Sequence, residues 1–494
     1  MGILILYLLN IIIQLSTLKR FFKDTIIYGI SAVLPRVITI ILLKLKTSVF
    51  GTKTFAVDVE YYIYAAYFNA FLTYGMETAF FRFFTKEKEK GKVISTAFIS
   101  LLTTTLLFLV VGLYFSTAIS NYFGFENPMH FKILILTIVF DTLVVIPFAY
   151  LRVTNRPIKF TFFKVGNVVV YALLVFFFLW IAPKYKIALP TLLIDNFGAS
   201  NTVIYVFIAG VLASFMTFLL MLPIIFKFKF VFDKQLFKRL LTYGLPIMAI
   251  GLAFVTNENL DKLLLPKYLG ESEMGIYAAC YKLGVFMTIY VMAFRMGAEP
   301  FFFNQADKSD AKEKYATILT WFTIIGAVFM FVIVAYIRIF AKIIIGNEEF
   351  LQALQIVPII LLANLFLGIY ANLSVWYKLT DKTKYGMYIS VFGAILTIVL
   401  NLIFIKTYGY MASAWATLVV YTSMTFVSYA LGKKHYPVPY NLKKVGLYLA
   451  ISILFSFLSF YFYQENYYVS TLLLFVFVGI VGFFEQNNLR KILS

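Results

Sequence analysis

The chain has 494 residues and a formal net charge of +20 at pH 7; 62% of its residues are hydrophobic and 13% are charged. Ordinary globular proteins are about 45 to 50% apolar and about 25% charged, so this composition excludes a soluble domain. It predicts an all-α polytopic membrane protein.

Continuous apolar runs of about 20 residues predict fourteen transmembrane helices. They lie near 25–45, 60–82, 93–116, 131–151, 160–182, 202–226, 240–260, 273–295, 315–337, 352–376, 385–405, 409–431, 445–463 and 468–484. A basic connector follows the sixth span. We therefore predict a cytoplasmic N-terminal segment (1–24), an N-lobe of helices 1–6 (25–230), a C-lobe of helices 7–12 (231–435) and two C-terminal helices with a short tail (436–494).

The basic residues predict the orientation of the chain. Most of the 43 lysines and arginines lie in the N-terminal tail, the even-numbered connectors and the C-terminus. By the positive-inside rule both termini are cytoplasmic, and we expect a multi-pass protein of the bacterial inner membrane. The charge is spread over every inner connector, which argues against a compact nucleic-acid-binding domain.

The stretch before Lys19 has two interpretations. Residues 3–13 are apolar but too short to span a membrane comfortably, and no basic residue precedes them as in a signal peptide. The stretch is either an interfacial segment or lies upstream of a translation start near Leu15.

A short internal repeat relates the two halves. Gly75–Phe81 ends the second span and Gly297–Phe303 ends the eighth, and both read Gly-x-Glu-x-x-Phe-Phe. The two spans are six apart, an even number, so the halves enter the membrane in the same direction, as in parallel-repeat transporters. A duplicated six-helix bundle predicts a cleft between two lobes.

Three basic residues fall inside predicted spans, where an ionisable side chain costs about 2.5 to 3.5 kcal/mol on insertion scales. Arg36 lies midway along the first span, beside Pro35, and Lys282 lies near the middle of the eighth. Lys164 lies nearer the inner face of the fifth span, from which a lysine can snorkel to water. Such residues persist mainly where they face protein or a water-filled cavity, so all three are candidates for the cleft.

Two acidic residues are candidates for carrying a coupling ion, H⁺ or Na⁺. Asp141 lies at mid-depth in the fourth span and has no basic residue within one helical turn. It must therefore pair across helices, be protonated or face water, which makes it the first candidate. Glu77, near the inner end of the second span, is the second.

Local ion pairing explains other charges in or near the spans. Glu299 lies four residues after Arg295, and Glu258 lies four residues before Lys262, a spacing that places each pair on one helical face. With Asp261, next to Lys262, these residues are candidates for a gate or for a structural role.

The sequence contains no pattern typical of an enzyme. The two histidines and the single cysteine, Cys280, are far apart, so we predict neither a disulfide nor a metal site. No Walker A motif is present. The longest outer loop, about Ala182–Asn201, is too short for a glycosyltransferase or polymerase and has Asp195 as its only acid. We expect a protein without enzymatic activity and without a bound cofactor.

Several segments resemble one family of transporters. They are Ser16–Asp24, Gly75–Phe84, Tyr281-Lys282, Phe294–Pro300 and, most specifically, Asn372–Thr383. From Ser16 onward the chain resembles bacterial polysaccharide-biosynthesis flippases of the Wzx type, in the superfamily that also contains the lipid II flippase and the multidrug and toxin extrusion (MATE) antiporters. The resemblance implies twelve helices in two lobes plus two C-terminal helices. It also implies transport of an undecaprenyl-diphosphate-linked oligosaccharide for O-antigen, capsule or exopolysaccharide.

The resemblance suggests a role for the basic residues in the spans. A diphosphate is stabilised by fixed cations through charge-assisted hydrogen bonds. Arg36 matches in position the first-helix arginine of lipid II flippases, although Pro35 replaces the serine usual before it. Our hypothesis is that Arg36 and Lys282, with Lys164 as a further candidate, bind the diphosphate, and that rocking of the lobes releases the headgroup outside.

Two other functions stay open. A multidrug antiporter of the same fold would have a net acidic cavity. A non-transporting scaffold would act as a partner of polysaccharide assembly. Besides the lipid-linked oligosaccharide and membrane lipid, a polysaccharide polymerase and a chain-length regulator are the expected partners.

Overall fold

The structure is a computed structural model that describes residues 33–123, 128–187, 202–306, 308–380, 382–464 and 466–493. All regular secondary structure in these residues is helical. The N-terminal segment 1–24, the proposed start near Leu15, the Ser16–Asp24 match and most of the Ala182–Asn201 loop lie outside the described residues.

The first half contains both short helices separated by turns and helices long enough to span a membrane. They are α1 (33–49), α2 (Thr52–Thr73), α3 (Met76–Lys86), α4 (Lys90–Tyr114), α5 (Ser116–Phe123), α6 (Pro128–Leu143), α7 (Val145–Val153), α8 (Pro157–Phe176) and α9 (Val203–Ile225). A π-helical turn, Phe177–Ile181, and a last helical turn, Ala182–Lys184, extend α8.

The second half begins with the longest helix described. Its helices are α10 (Lys234–Leu269), α11 (Glu271–Tyr281), α12 (Val285–Gln305), α13 (Ala311–Ala335), α14 (Ile337–Ile344), α15 (Val357–Leu373), α16 (Val375–Leu379), α17 (Lys384–Tyr408), α18 (Tyr410–His435), α19 (Leu442–Phe457) and α20 (Tyr467–Leu493). The 3₁₀ turn Lys282–Gly284 joins α11 to α12, and Glu348–Ile356, also 3₁₀, precedes α15.

The described residues contain twelve helical segments long and apolar enough to cross a membrane. These twelve correspond to the third to fourteenth predicted spans. The first predicted span starts outside the described residues. The second is divided at Gly75, whose φ of 70° ends α2 and starts α3, and α2 carries the charged Asp58 and Glu60. The protein is a multi-pass, all-α membrane protein, and the count of fourteen spans stays a prediction.

Observed helices extend beyond the apolar stretches that predicted them. The seventh predicted span, 240–260, lies inside α10, which has 36 residues. At 1.5 Å per residue such a helix is about 54 Å long, against a hydrocarbon core of about 30 Å. Hydropathy detects only the apolar middle of the helix. The polar residues at its two ends are also helical, but they give no hydropathy signal.

Contacts between Cα atoms divide the chain into two compact units. The first unit contains residues up to Thr39, Phe71–Ile187 and Ile204–Leu245, and the second contains Ile40–Ala70 and the described residues from Pro246 onward. In the first, α3 packs against α4 and α7, and α4 packs against α6. The predicted lobes at 25–230 and 231–435 stay a prediction.

The second unit includes the two C-terminal helices. Helix α18 packs against α15 and α17, and α13 packs against α15, α19 and α20. Ile324, Ala327 and Phe331 of α13 form a buried cluster with Tyr448 of α19 and Phe477 of α20. Burial of these aromatic side chains attaches the C-terminal pair to the unit.

Candidate functional site

A helical hairpin in the second unit contains a buried ion pair that the sequence did not predict. Lys46, near the end of α1, donates from Nζ to both carboxylate oxygens of Asp58 in α2, at 2.9 and 2.8 Å. Asp58 is fully buried, and the side chain of Lys46 is 7% exposed. The hairpin around Gly51 brings the two side chains together. Each charge then compensates the other, which a buried charge requires.

A second lysine of this unit, Lys262, lies among aromatic and acidic groups near the end of α10. Its Nζ donates to the Glu258 carbonyl oxygen at 2.7 Å and to Asp261 Oδ1 at 3.2 Å. The ammonium also lies 3.5 Å from the centroid of the Tyr281 ring, in cation–π geometry. The carboxylate of Asp261 therefore neutralises Lys262, and the predicted pairing on this helix involves the Glu258 carbonyl instead of its carboxylate.

Two tyrosine hydroxyls hold the acids of this region in place. The Tyr277 hydroxyl donates to Asp261 Oδ2 at 2.5 Å, and the Tyr421 hydroxyl donates to Glu258 Oε2 at 3.0 Å. Both rings are buried. These bonds connect α10 to α11 and to α18, so the carboxylates are fixed by three helices.

The third lysine, Lys282, is the predicted candidate of the eighth span. It lies in the 3₁₀ turn after α11, and its Nζ is 5.1 Å from the centroid of the Phe55 ring. Lys46, Asp58 and Lys262 supply the electrostatic field at its ammonium. Among the described residues no carboxylate lies within ion-pair distance of Lys282, whereas Lys46 and Lys262 each have one.

Tyr281, next to Lys282, adds a polar group without a partner. Its side chain is 8% exposed, and its hydroxyl has no hydrogen-bond partner among the described residues. A buried hydroxyl left unbonded costs free energy. We call Lys46, Asp58, Lys262, Tyr281 and Lys282 the lysine cluster.

Close backbone approach positions the hairpin against α11. A Cβ added at Gly275 would lie 2.0 Å from the Thr52 carbonyl oxygen, so only glycine permits this contact. Beside it, the hydroxyls of Thr52 and Ser272 are 2.6 Å apart. These contacts hold the N-terminal end of α2 on α11, the helix that directly precedes Lys282.

A network of neutral polar side chains also lies in the second unit, in α10, α17 and α18. Thr397 donates to Asn257 Oδ1 at 3.0 Å, and Ser413 donates to Asn401 Oδ1 at 2.8 Å. Asn401 also donates to the Thr397 carbonyl oxygen at 2.8 Å. The network connects α10, α17 and α18 through buried side chains, and the sequence analysis did not identify it because amides and hydroxyls carry no charge signal.

In the first unit the structure brings together two residues that were predicted separately. Ser214 of α9 and Lys164 of α8 lie near the side chain of Asp141. One helical turn from Lys164, Asn167 donates to Thr217 Oγ1 at 3.0 Å. The Lys164 ammonium also lies 5.6 Å from the Phe148 ring centroid.

Arg36 is half-buried in α1 and belongs to the first unit. One turn later the Thr39 hydroxyl donates to the Pro35 carbonyl oxygen at 2.8 Å. Lys282 belongs to the second unit, so the two cations predicted to share a diphosphate lie in different units.

The glutamates of the internal repeat occupy matching ion pairs. Glu77 of α3 accepts from Arg152, at the end of the fourth predicted span, at 3.1 Å. Glu299 of α12 accepts from Lys378, at the end of the tenth, at 3.0 Å, and from Arg295 at 2.8 Å. In each half a glutamate of the second helix therefore binds a base of the fourth. The predicted Arg295–Glu299 pair is present.

The sequence did not reveal Lys46 or Asp58 as site residues, and it predicted Glu258 as the partner of Lys262, whereas the ion pair is formed with Asp261. Lys46 was placed in a connector because the first span was ended at residue 45. Asp58 was missed because α2 starts at Thr52 instead of residue 60. A signal was present: a base and an acid twelve residues apart on either side of Gly51 can meet across a tight helical hairpin.

Two family models match the chain. The model for polysaccharide biosynthesis protein matches residues 21–305, more than half of the chain, and the MatE model matches residues 246–403. An uncharacterized membrane protein of Methanocaldococcus jannaschii is 23% identical over 424 residues, which cover 82% of this chain and 96% of the relative.

Solved structures of transporters share the fold. The lipid II flippase MurJ, in an inward closed conformation, matches with a TM-score of 0.68 and 18% identity over 94% of this chain and 100% of its own. The multidrug transporter DinF-BH of the MATE family matches with a TM-score of 0.56 and 14% identity, over 85% and 96% of the two chains. A MOP superfamily transporter from Pyrococcus furiosus matches at 0.53 and 12%, over 83% and 95%. The chain belongs to the polysaccharide biosynthesis protein family.

Proposed function

We propose that the protein is a flippase that moves an undecaprenyl-diphosphate-linked oligosaccharide across the bacterial inner membrane for the synthesis of a cell-surface polysaccharide. The family match and the likeness to flippase and MATE folds support a transporter. In this proposal the protein lies in the inner membrane with both termini in the cytoplasm, and alternating access driven by an ion gradient moves the substrate.

One observation carries the choice of an anionic substrate: the ammonium of Lys282 has no carboxylate partner among the described residues. A charge in a low-dielectric site is costly unless something compensates it. The oxygens of a diphosphate would compensate it and would accept from the unbonded Tyr281 hydroxyl. Lys46 and Lys262, each held by an aspartate, contribute to the field at this position.

A multidrug antiporter is the main alternative, because the MatE model matches part of the second unit. Binding of an organic cation calls for a carboxylate that is free to receive it. Asp58 of the lysine cluster is paired with Lys46. Asp261, beside the cluster, is paired with Lys262. This pairing favours the flippase.

The proposal is tested in vesicles that contain the purified protein and a fluorescent polyprenyl-diphosphate-linked oligosaccharide. We expect translocation by the wild type, loss of it in Lys282→Gln, and substantial retention in Lys282→Arg, because arginine keeps the charge and can bind a diphosphate. Lys267→Gln, at an exposed lysine of α10, is the matched control and is expected to act as the wild type.

Three results would contradict the proposal. Translocation by Lys282→Gln at the wild-type rate would remove Lys282 from the substrate site. A wild-type protein that exports an organic cation but leaves the lipid-linked sugar in place would be an antiporter, and one that moves neither would be a non-transporting partner of an assembly complex.

A further inference from the structure

Two basic segments lie side by side in the first unit. One segment, Lys86–Lys92, runs from the last residue of α3 into the first turn of α4. The other, the connector Phe226–Arg239, follows α9 and includes the first turns of α10. Together they contain nine lysines and arginines against three acids. All nine basic side chains are exposed: Lys86, Lys88, Lys90, Lys92, Lys227, Lys229, Lys234, Lys238 and Arg239. We call these two segments the connector surface.

The connector interleaves its lysines with exposed aromatic rings. Phe226 is 73% exposed, Phe230 is 49% exposed and Phe232 is 46% exposed, and Lys227 and Lys229 alternate with them. The segment begins directly after the membrane-spanning helix α9 ends at Ile225. It is therefore located where the hydrocarbon core meets the headgroups, the level at which aromatic rings are favoured.

Internal contacts fix the connector before any ligand binds. Phe228 is buried, with its ring centroid 5.5 Å from that of Phe98 and 5.7 Å from that of Tyr150. The backbone N–H of Asp233 donates to Thr96 Oγ1 at 3.1 Å. The lysines on either side of Phe228 are thereby presented from an anchored backbone, which lowers the entropic cost of binding.

An ion pair joins the second basic segment to the first. Arg239 donates to Glu87 Oε1 at 2.7 Å, and its guanidinium lies 5.0 Å from the Phe83 ring centroid. Lys92 is paired with Glu89 at 2.7 Å. One acid remains, Asp233, and its Oδ1 accepts from the N–H of Leu236. The remaining bases outnumber it, so the surface keeps a strong positive charge.

We propose that the connector surface binds the anionic headgroups of membrane phospholipids in the leaflet that it faces. The lysines would bind the phosphates, and Phe226, Phe230 and Phe232 would insert between the headgroups. Charge complementarity and the position directly after a span select a lipid surface over a protein partner. The phospholipid bound here is distinct from the transported lipid-linked sugar, and this inference does not depend on the identity of the substrate.

The test is native mass spectrometry of the purified full-length protein titrated with phosphatidylglycerol or phosphatidylcholine. We expect preferential binding of phosphatidylglycerol. Each lysine near an anionic surface changes binding about fivefold, so the triple variant Lys227→Gln, Lys229→Gln and Lys234→Gln should weaken it on the order of 100-fold. The control variant Lys184→Gln, Lys186→Gln and Lys406→Gln removes three exposed lysines elsewhere and should bind as the wild type.

A second measurement reports insertion of the aromatic rings. In a Cys280→Ser background, Phe232→Cys carries an environment-sensitive fluorophore, whose emission should shift to the blue in vesicles containing phosphatidylglycerol and less at high salt. Equal binding of phosphatidylglycerol by the two triple variants would overturn the proposal. So would loss of its binding in Lys282→Gln but not in the connector variant, because the lipid would then occupy the proposed substrate site.

Discussion

At the residue scale, the ion pairs of this protein differ in how deeply they are buried. Lys46 and Asp58 are almost completely buried, whereas the side chains of Arg152 and Glu77 are each 46% exposed. Breaking a buried pair leaves an uncompensated charge and costs about 3 to 5 kcal/mol. An exposed pair contributes about 0 to 1 kcal/mol.

We therefore expect Lys46→Met to lower the stability of the detergent-solubilised protein by about 3 to 5 kcal/mol, as measured by thermal or denaturant unfolding. The double variant Lys46→Met and Asp58→Leu should recover most of the loss, because it removes both charges of this pair. Arg152→Met is the control at the exposed pair and should change stability by less than about 1 kcal/mol. A double variant no more stable than the single one would contradict this account of the Lys46–Asp58 pair.

At the element scale, the sequence predicted most spans but not where helices break. The repeat Gly-x-Glu-x-x-Phe-Phe begins with a left-handed glycine at Gly75, which ends a helix, whereas Gly297 lies inside the continuous helix α12. Near the first copy, a Cβ at Gly244 would lie 2.6 Å from the Tyr74 carbonyl oxygen. Backbone packing of this kind depends on tertiary neighbours and leaves no periodic signal in the sequence.

The contact between α2 and α11 gives a prediction for one glycine. Gly275→Ala should displace the N-terminal end of α2, because its methyl group would lie 2.0 Å from the Thr52 carbonyl oxygen. We expect a clearly lower unfolding temperature and reduced transport. Gly251→Ala in α10 is the matched control. A Cβ there meets nothing within 4 Å, so alanine should be neutral or slightly stabilising through its higher helix propensity. Equal unfolding temperatures for the two variants would show that the Gly275 contact is unimportant.

At the scale of the whole molecule, we propose that coupling to an ion gradient depends on acidic residues of the first unit. Asp141 lies near Lys164, whereas Glu77 forms an ion pair with Arg152. We expect Asp141→Asn to make translocation in vesicles insensitive to an imposed proton or sodium gradient, because the amide cannot change its charge. Glu77→Gln should keep the response. The reverse pattern would move the coupling role to Glu77.

The sequence by itself determined the membrane environment, the helical fold class and the positions of the long spans. These properties follow from the free-energy cost of placing polar groups in hydrocarbon. Each apolar segment can therefore be recognised from its own residues, independently of the rest of the chain. It also identified Lys282 and Asp141 as charges that needed an explanation. Only the tertiary structure decided which charges are compensated: Lys46 by Asp58, Lys262 by Asp261, and Lys282 by no carboxylate among the described residues. Compensation depends on distances across helices, and those are fixed by packing, not by spacing along the chain.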